Sequence, residues 1–301
     1  IFVTSRNQFV LFIRRKNIGK LFVPGFNFLM IHKRQFRAGT FQKPSLFPMS
    51  YLADNLPADK HCFFGAEGGV SQGLYASLNV NRKSADTPEN IRQNLEIIAR
   101  HYGLGFENLM LLNQGVTSHA EYIEKPSQGQ ITADGVVTGS KDIILCIATA
   151  DCAPVLFRDD KAGLIGAAHA GWRGAVRGIL ENTVQIMLDK GASVENITAA
   201  VGPCMQQPSF EIGLDMYDEF ILASPDNRKY FADGKDNEHF LFDMEGFIID
   251  KLHRLGLKNI SASHIDTYAA TGKFFSFRRN THLGLISRPG DFPVHLSTII
   301  L

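Results

Sequence analysis

The chain has 301 residues, about 45% hydrophobic and 20% charged, with a formal net charge of +1. That is enough apolar sequence for one substantial core, and the near-neutral balance gives no global case for nucleic acid or membrane surfaces. No run of 18 or more apolar residues is present, so no membrane-spanning helix is expected.

The charge is unevenly placed. Residues 1–45 carry nine of the 31 Lys/Arg and no Asp or Glu, leaving 22 basic against 30 acidic residues in the rest. Residues 1–50 therefore read as a basic N-terminal extension outside the core, with 51–301 as one catalytic domain. Cys62, Cys146, Cys152 and Cys204 are too widely spaced for a disulfide framework, which makes a reduced, cytoplasmic setting the expectation.

In chain order, Thr87-Pro88 opens a helix as N-cap and first residue, with Ile91, Leu95, Ile98 and Tyr102 on one stripe and Gly103 ending it. Apolar β-rich runs follow at 143–149, 153–157 and 163–168. A helix is predicted over 174–190, facing the core through Val176, Leu180, Val184 and Met187 and stopped by Gly191. A further strand at 197–201 and a helix over 243–256 complete the pattern. Helices alternating with buried strands predict a mixed α/β (α+β) domain built on a central mixed sheet flanked by helices.

Two segments carry chemistry. Ala148-Thr-Ala-Asp-Cys-Ala-Pro154 stops an apolar strand at Asp151-Cys152, placing the thiol at a strand end. Gly166-Ala-Ala-His-Ala-Gly-Trp-Arg-Gly174 surrounds His169, Trp172 and Arg173 with small residues just before a helix, where a phosphate-sized anion could dock. The strand–turn–strand unit between them can return His169 to Cys152. A thiolate and an imidazole are half of a tetrahedral zinc site, and equally the start of a Cys-His nucleophile. Asp134 and Asp151 are candidate acceptors that would orient an imidazole, or else turn and cap residues.

At these residues, and at Gly68-Gly-Val-Ser71, Ser77-Leu-Asn79, Ala133-Asp-Gly-Val-Val-Thr138, Gly202-Pro-Cys204, Phe210-Glu-Ile-Gly213 and Phe274-Phe-Ser-Phe-Arg-Arg279, the chain resembles the YfiH-like family from about 63 to 301. Its members are described as multicopper polyphenol oxidases or laccases, purine nucleoside phosphorylases and peptidoglycan editing factors. The resemblance implies a single α/β domain, a zinc site of one cysteine and two histidines, and phosphorolysis of adenosine, inosine, guanosine or methylthioadenosine, with adenosine deamination as a side activity.

Carried over by position, Cys152 and His169 match two zinc ligands. The family's Gln-Val-His pattern meets Asn113-Gln-Gly-Val-Thr-Ser-His119, so its histidine falls on Val116 and His119 lies three residues late. His119 is the candidate third ligand, provided the backbone bulges there. The family's Thr-Arg before Gly-Gly is Gly65-Ala66 here, and the region after Arg279 also departs.

The leading expectation is a zinc-dependent nucleoside phosphorylase, monomeric or homodimeric, with Cys152, His169 and Arg173 catalytic and Trp172, Arg173, Cys204 and Arg278 against nucleoside and phosphate. Copper is a weaker candidate, because clustered His-x-His pairs are missing. The alternatives are a Cys-His hydrolase editing peptidoglycan precursors, or a weakened or inactive purine-binding member. Nucleic acid and membranes are not expected partners.

Overall fold

Alternation along three central strands sets the architecture of the computed structural model, which describes residues 50–301. The expectation for residues 1–49 lies outside the described residues. The chain order is β1 (His61–Phe63), α1 (Pro88–His101), β2 (Leu109–Leu111), β3 (Ala120–Tyr122), β4 (Gly135–Thr138), β5 (Ile144–Thr149), β6 (Ala153–Asp159) and β7 (Leu164–Ala170). There follow α2 (Trp172–Arg177), α3 (Ile179–Asp189), β8 (Thr198–Val201), β9 (Glu211–Gly213), α4 (Leu214–Ala223), β10 (Phe231–Asp233), β11 (His239–Phe242), α5 (Met244–Arg254), β12 (Asn259–Ala262), α6 (Phe277–His282) and β13 (His295–Ile299).

The strands form a six-stranded mixed sheet in the order β12-β8-β6-β7-β4-β3, a four-stranded sheet β1-β13-β5-β2, and a small sheet β10-β11-β9. In β5, Leu145 and Ile147 join Leu156 of β6 and Ile165 and Ala167 of β7 in one buried cluster. Their neighbours point the other way. Ile144 and Cys146 pack with Ile91, Leu95 and Ile98 of α1, while Val155, Phe157 and Ala168 pack with Leu180, Val184 and Phe247 of α3 and α5. Because side chains alternate along a strand, two sheets lie face to face, each covered on its outer side by helix. The mixed α/β class expected from the sequence is present, with its strands shared among three sheets rather than one.

α1 forms where its caps predict. Thr87 Oγ1 accepts from the amide of Asn90 at 3.1 Å, Pro88 occupies the first turn, and Gly103 adopts φ +72° after the last. Burying Ile91, Leu95 and Ile98 contributes about 1.5–3 kcal/mol each. Asn94, polar on the same face, is fully buried and donates to Ser71 Oγ and to the carbonyls of Ser77 and Asn79, while its Oδ1 accepts from Val70. It thereby locks together the Gly68–Ser71 and Ser77–Asn79 motifs.

The single helix predicted over 174–190 is two, because Gly178 takes φ +99° and ends α2 before α3 begins. Val176 is only half-buried as a result. β7 runs to Ala170, so His169 stands within the strand rather than after it.

Gly202 ends β8 with its α-carbon against the fully buried Phe63: a Cβ there would lie 2.2 Å from the ring and 2.9 Å from Pro154 Cγ. Gly202→Ala should therefore cost about 1–3 kcal/mol, read as a lower urea midpoint with unchanged slope. An unchanged midpoint would mean that the ring moves aside freely.

Candidate active site

Strand register brings the central residues together. β6 pairs with β7 so that Pro154 faces His169, which puts Cys152 at the same end of the sheet. On the other side β4 pairs with β7, and the His169 amide donates to the Asp134 carbonyl at 2.7 Å just beyond Gly135↔Ala168. The Asp134 carboxylate lies 2.7 Å from His169 Nδ1. A thiol and a carboxylate are thus delivered to one imidazole by its two neighbouring strands.

Asp134 is fully buried and accepts four further hydrogen bonds: from the amides of Gly115, Val116 and Thr117 at 3.2, 3.1 and 2.6 Å, and from Thr117 Oγ1 at 2.7 Å. Burial opposes its charge, but the His169 and Thr117 hydrogen bonds prevail and hold the carboxyl down to about 2. Burial likewise opposes a charged His169. The interaction with the neighbouring Cys152 sulfur and the Asp134 hydrogen bond outweigh that and raise the imidazole to about 10. His169 thus keeps both nitrogens protonated over the neutral range.

The cavity in front of this row measures about 680 Å³. It opens where β2, β5 and β7 end and β6 and β13 begin. Cys152, His169, Gln114 and Val116 line it, with Phe277, Phe292 and Val294 as an apolar wall. Arg82 and Lys83 stand at its rim, and among the described residues neither pairs with a carboxylate. Arg82 is held by the carbonyls of Gln128 and Leu112 at 2.6 and 3.1 Å, which leave its charge uncompensated. Asn79 Oδ1 anchors the turn by accepting from Asn81, and Asn81 Nδ2 ties it to the carbonyls of Gly290 and Phe292.

The other residues singled out from sequence lie elsewhere. His119 is exposed, its Nε2 2.8 Å from Glu121 Oε1, and no bulge returns it to the pair. Among the described residues, no group of three His, Cys, Asp or Glu side chains is placed to hold a metal ion. The expected donor set of Cys152, His169 and His119 is therefore not assembled.

Arg173 stacks over Trp172 at 4.1 Å, and Trp172 stacks on Phe220, on the helix-covered face of the large sheet. Cys204 is fully buried. Arg278 donates from its guanidinium to the Glu211 carbonyl and lies 5.7 Å from the Phe210 ring. None of these four lines the cavity. Asp151 does not reach His169 either: it accepts from Thr267 Oγ1 and from the Arg278 amide, fixing the first turn of α6.

Arg82 and Lys83 were missed by sequence reasoning. Their signal was the turn that directly follows Ser77-Leu-Asn79.

A family described as multi-copper polyphenol oxidoreductase laccase matches residues 60–287. A Rickettsia prowazekii protein named purine nucleoside phosphorylase is 34% identical over 196 residues, 64% of this chain and 79% of its own length. The crystal structure of Neisseria meningitidis protein NMB0706 superposes with a TM-score of 0.72 at 31% identity, over 84% of this chain and 98% of that one. A Bacillus licheniformis protein, YfiH, gives 0.74 at 22% identity, over 80% and 92%, a likeness of fold.

Asp134→Asn tests the carboxylate. An amide cannot accept all five hydrogen bonds, and removing one partner of a buried pair should cost about 3–5 kcal/mol. In the wild type, the Asp134 contribution is present above its ordinary 3.8 and lost as pH falls through about 2. The His169 contribution is present below its ordinary 6.5 and lost as pH rises through about 10. Thermal midpoints against pH should show the alkaline decline of the variant beginning at lower pH. An unmoved decline would mean that Cys152 alone holds the imidazolium.

Proposed function

The chain belongs to the YfiH-like family, matched as multi-copper polyphenol oxidoreductase laccase, and on that premise we propose that it is a purine nucleoside phosphorylase. Adenosine, inosine, guanosine and methylthioadenosine are its candidate substrates, with inorganic phosphate. The observation that carries the reading is that the Asp134–His169–Cys152 row opens into a cavity with an aromatic wall and a cationic rim. The purine lies along Phe277, Phe292 and Val294, and the phosphate at Arg82 and Lys83.

Phosphate oxygen attacks the anomeric carbon as the bond to the purine nitrogen breaks, giving ribose 1-phosphate and the base. Negative charge grows on the departing purine. The His169 imidazolium, whose two nitrogens are engaged by Asp134 and Cys152, stabilises that charge as a fixed buried cation rather than by giving a proton away. Arg173 keeps no direct part in this scheme, because its guanidinium lies on Trp172.

The zinc implied by resemblance does not fit the residues present. Cys152 and His169 supply two donors where a catalytic zinc takes three, and no step here passes through a metal, including deamination of adenosine.

A second reading, a Cys-His hydrolase of cell-wall precursors, draws on the same row, since nucleophile, imidazole and orienting carboxylate stand in the order that activates a thiol.

Purified protein given adenosine and phosphate should release adenine and ribose 1-phosphate, and His169→Ala should slow this by at least about 100-fold. Lys83→Ala should raise the KM for phosphate more than it lowers kcat. Unchanged turnover in His169→Ala would remove the proposal. Amide hydrolysis abolished by iodoacetamide, without phosphorolysis, would select the second reading.

A further inference from the structure

One point in space is faced by three side chains from three segments. A Cβ built on Gly171 would lie 3.3 Å from Cys152 Sγ, 3.6 Å from His169 Nε2 and 3.0 Å from Val116 Cγ1. Two of the three are metal donors and the third is a methyl group. Val116 is also the position on which the resemblance places the family's histidine. Other polar side chains nearby are committed: both ends of the Gln114 amide bond the backbone of Ala148, Asn113 donates to Thr132, and His119 meets Glu121.

The backbone at this position is unusual for its residue. Val116 has φ +59°. That region is sparsely populated by β-branched residues and several-fold enriched in His, Asn and Asp. Holding a non-glycine residue there costs about 1–3 kcal/mol, which the surroundings must over-determine. They do so through Asp134, whose carboxylate takes the amides on both sides of Val116 and its own. The same carboxylate orients His169. Loop shape and imidazole orientation are therefore set together, independently of the side chain at 116.

We propose that Val116 occupies the place of a third metal donor, so that this chain carries a zinc site one side chain short of closure and keeps Cys152 as a free thiol on the cavity wall. Gly171 keeps a side chain out of the space that the thiol, the imidazole and the Val116 methyl face, but a thiolate and one imidazole do not by themselves make a catalytic zinc site. This inference does not depend on the phosphorylase reading, since its readouts are metal and thiol rather than turnover.

The test uses the full chain, with bound zinc and copper measured by atomic emission, zinc affinity by competition with a chromophoric chelator, and iodoacetamide labelling by peptide mass spectrometry. Labelling reports on Cys152 because the other three cysteines are buried. Wild-type protein should hold substoichiometric metal, and its Cys152 should label at the same rate with and without zinc. Val116→His, whose new residue suits the existing φ, should bind one zinc per chain. Its affinity should rise by more than the ~100-fold that losing even an outer partner of a metal ligand costs, and zinc should then protect Cys152 from labelling. Val116→Asn should behave as wild type, and Cys152→Ala in the Val116→His background should abolish the gain.

One zinc or copper per wild-type chain, retained through chelator treatment, overturns the proposal. So does a folded Val116→His variant with no gain. If that variant fails to fold, zinc protection of wild-type Cys152 decides: protection overturns the proposal and its absence supports it.

Discussion

The site rests on one buried carboxylate. A charge such as that of Asp134, taken out of water, is tolerable only if its oxygens are met by donors in good geometry. Five donors meet it: three successive amides, a hydroxyl and an imidazole. The requirement also runs the other way. With the carboxylate held in place by β4, the 115–117 loop has to curl around it and His169 has to point its Nδ1 inward, leaving Nε2 for the thiol. A charged group that needs solvation thus becomes the device that shapes a loop and selects an imidazole orientation.

Register supplies the rest. β7 lies between β4 and β6, so His169 has the carboxylate on one flank and the thiol on the other. A slip of one residue in either pairing would turn one partner to the opposite face of the sheet. Such a slip is opposed by the alternation of Ile165 and Ala167 toward one core and of Leu164, Ala168 and Ala170 toward the other. Packing that stabilises the two cores therefore also keeps the reactive groups in line.

Part of this was legible in the sequence. The Thr87-Pro88 cap and the stripe behind it specify α1 locally, and the short apolar runs around Asp151-Cys152 and before His169 predict that the chain doubles back. The pairing of Cys152 with His169 follows from that. Other features depend on contacts distant in sequence. Asp134 and Asp151 look equivalent as buried acids beside motifs, yet register gives one to an imidazole and the other to the first turn of α6. Trp172 and Arg173 read as ligand-facing because small residues surround them, but α2 turns them toward Phe220 on the helical side. The break at Gly178, which divides one periodic pattern into two helices, is a backbone choice that hydrophobic spacing does not encode.

The four cysteines show how placement within one fold separates chemistry from packing. Burial pushes Cys62 up to about 12 and raises Cys146 and Cys204 well above the ordinary thiol range, so at neutral pH these three are small apolar groups within the cores. Cys152 is half-buried, beside a cation whose proton is held by a carboxylate on its far side. Its sulfur therefore has an imidazole on one side and the cavity on the other. Because loop 115–117 takes its shape from Asp134 rather than from residue 116, the methyl of Val116 can stand over that thiol without disturbing the row beneath it. The reactivity of the sulfur and the identity of the neighbouring side chain are consequently separable properties, and a single substitution in the loop can change what the thiol meets while leaving Asp134, His169 and Cys152 where they are.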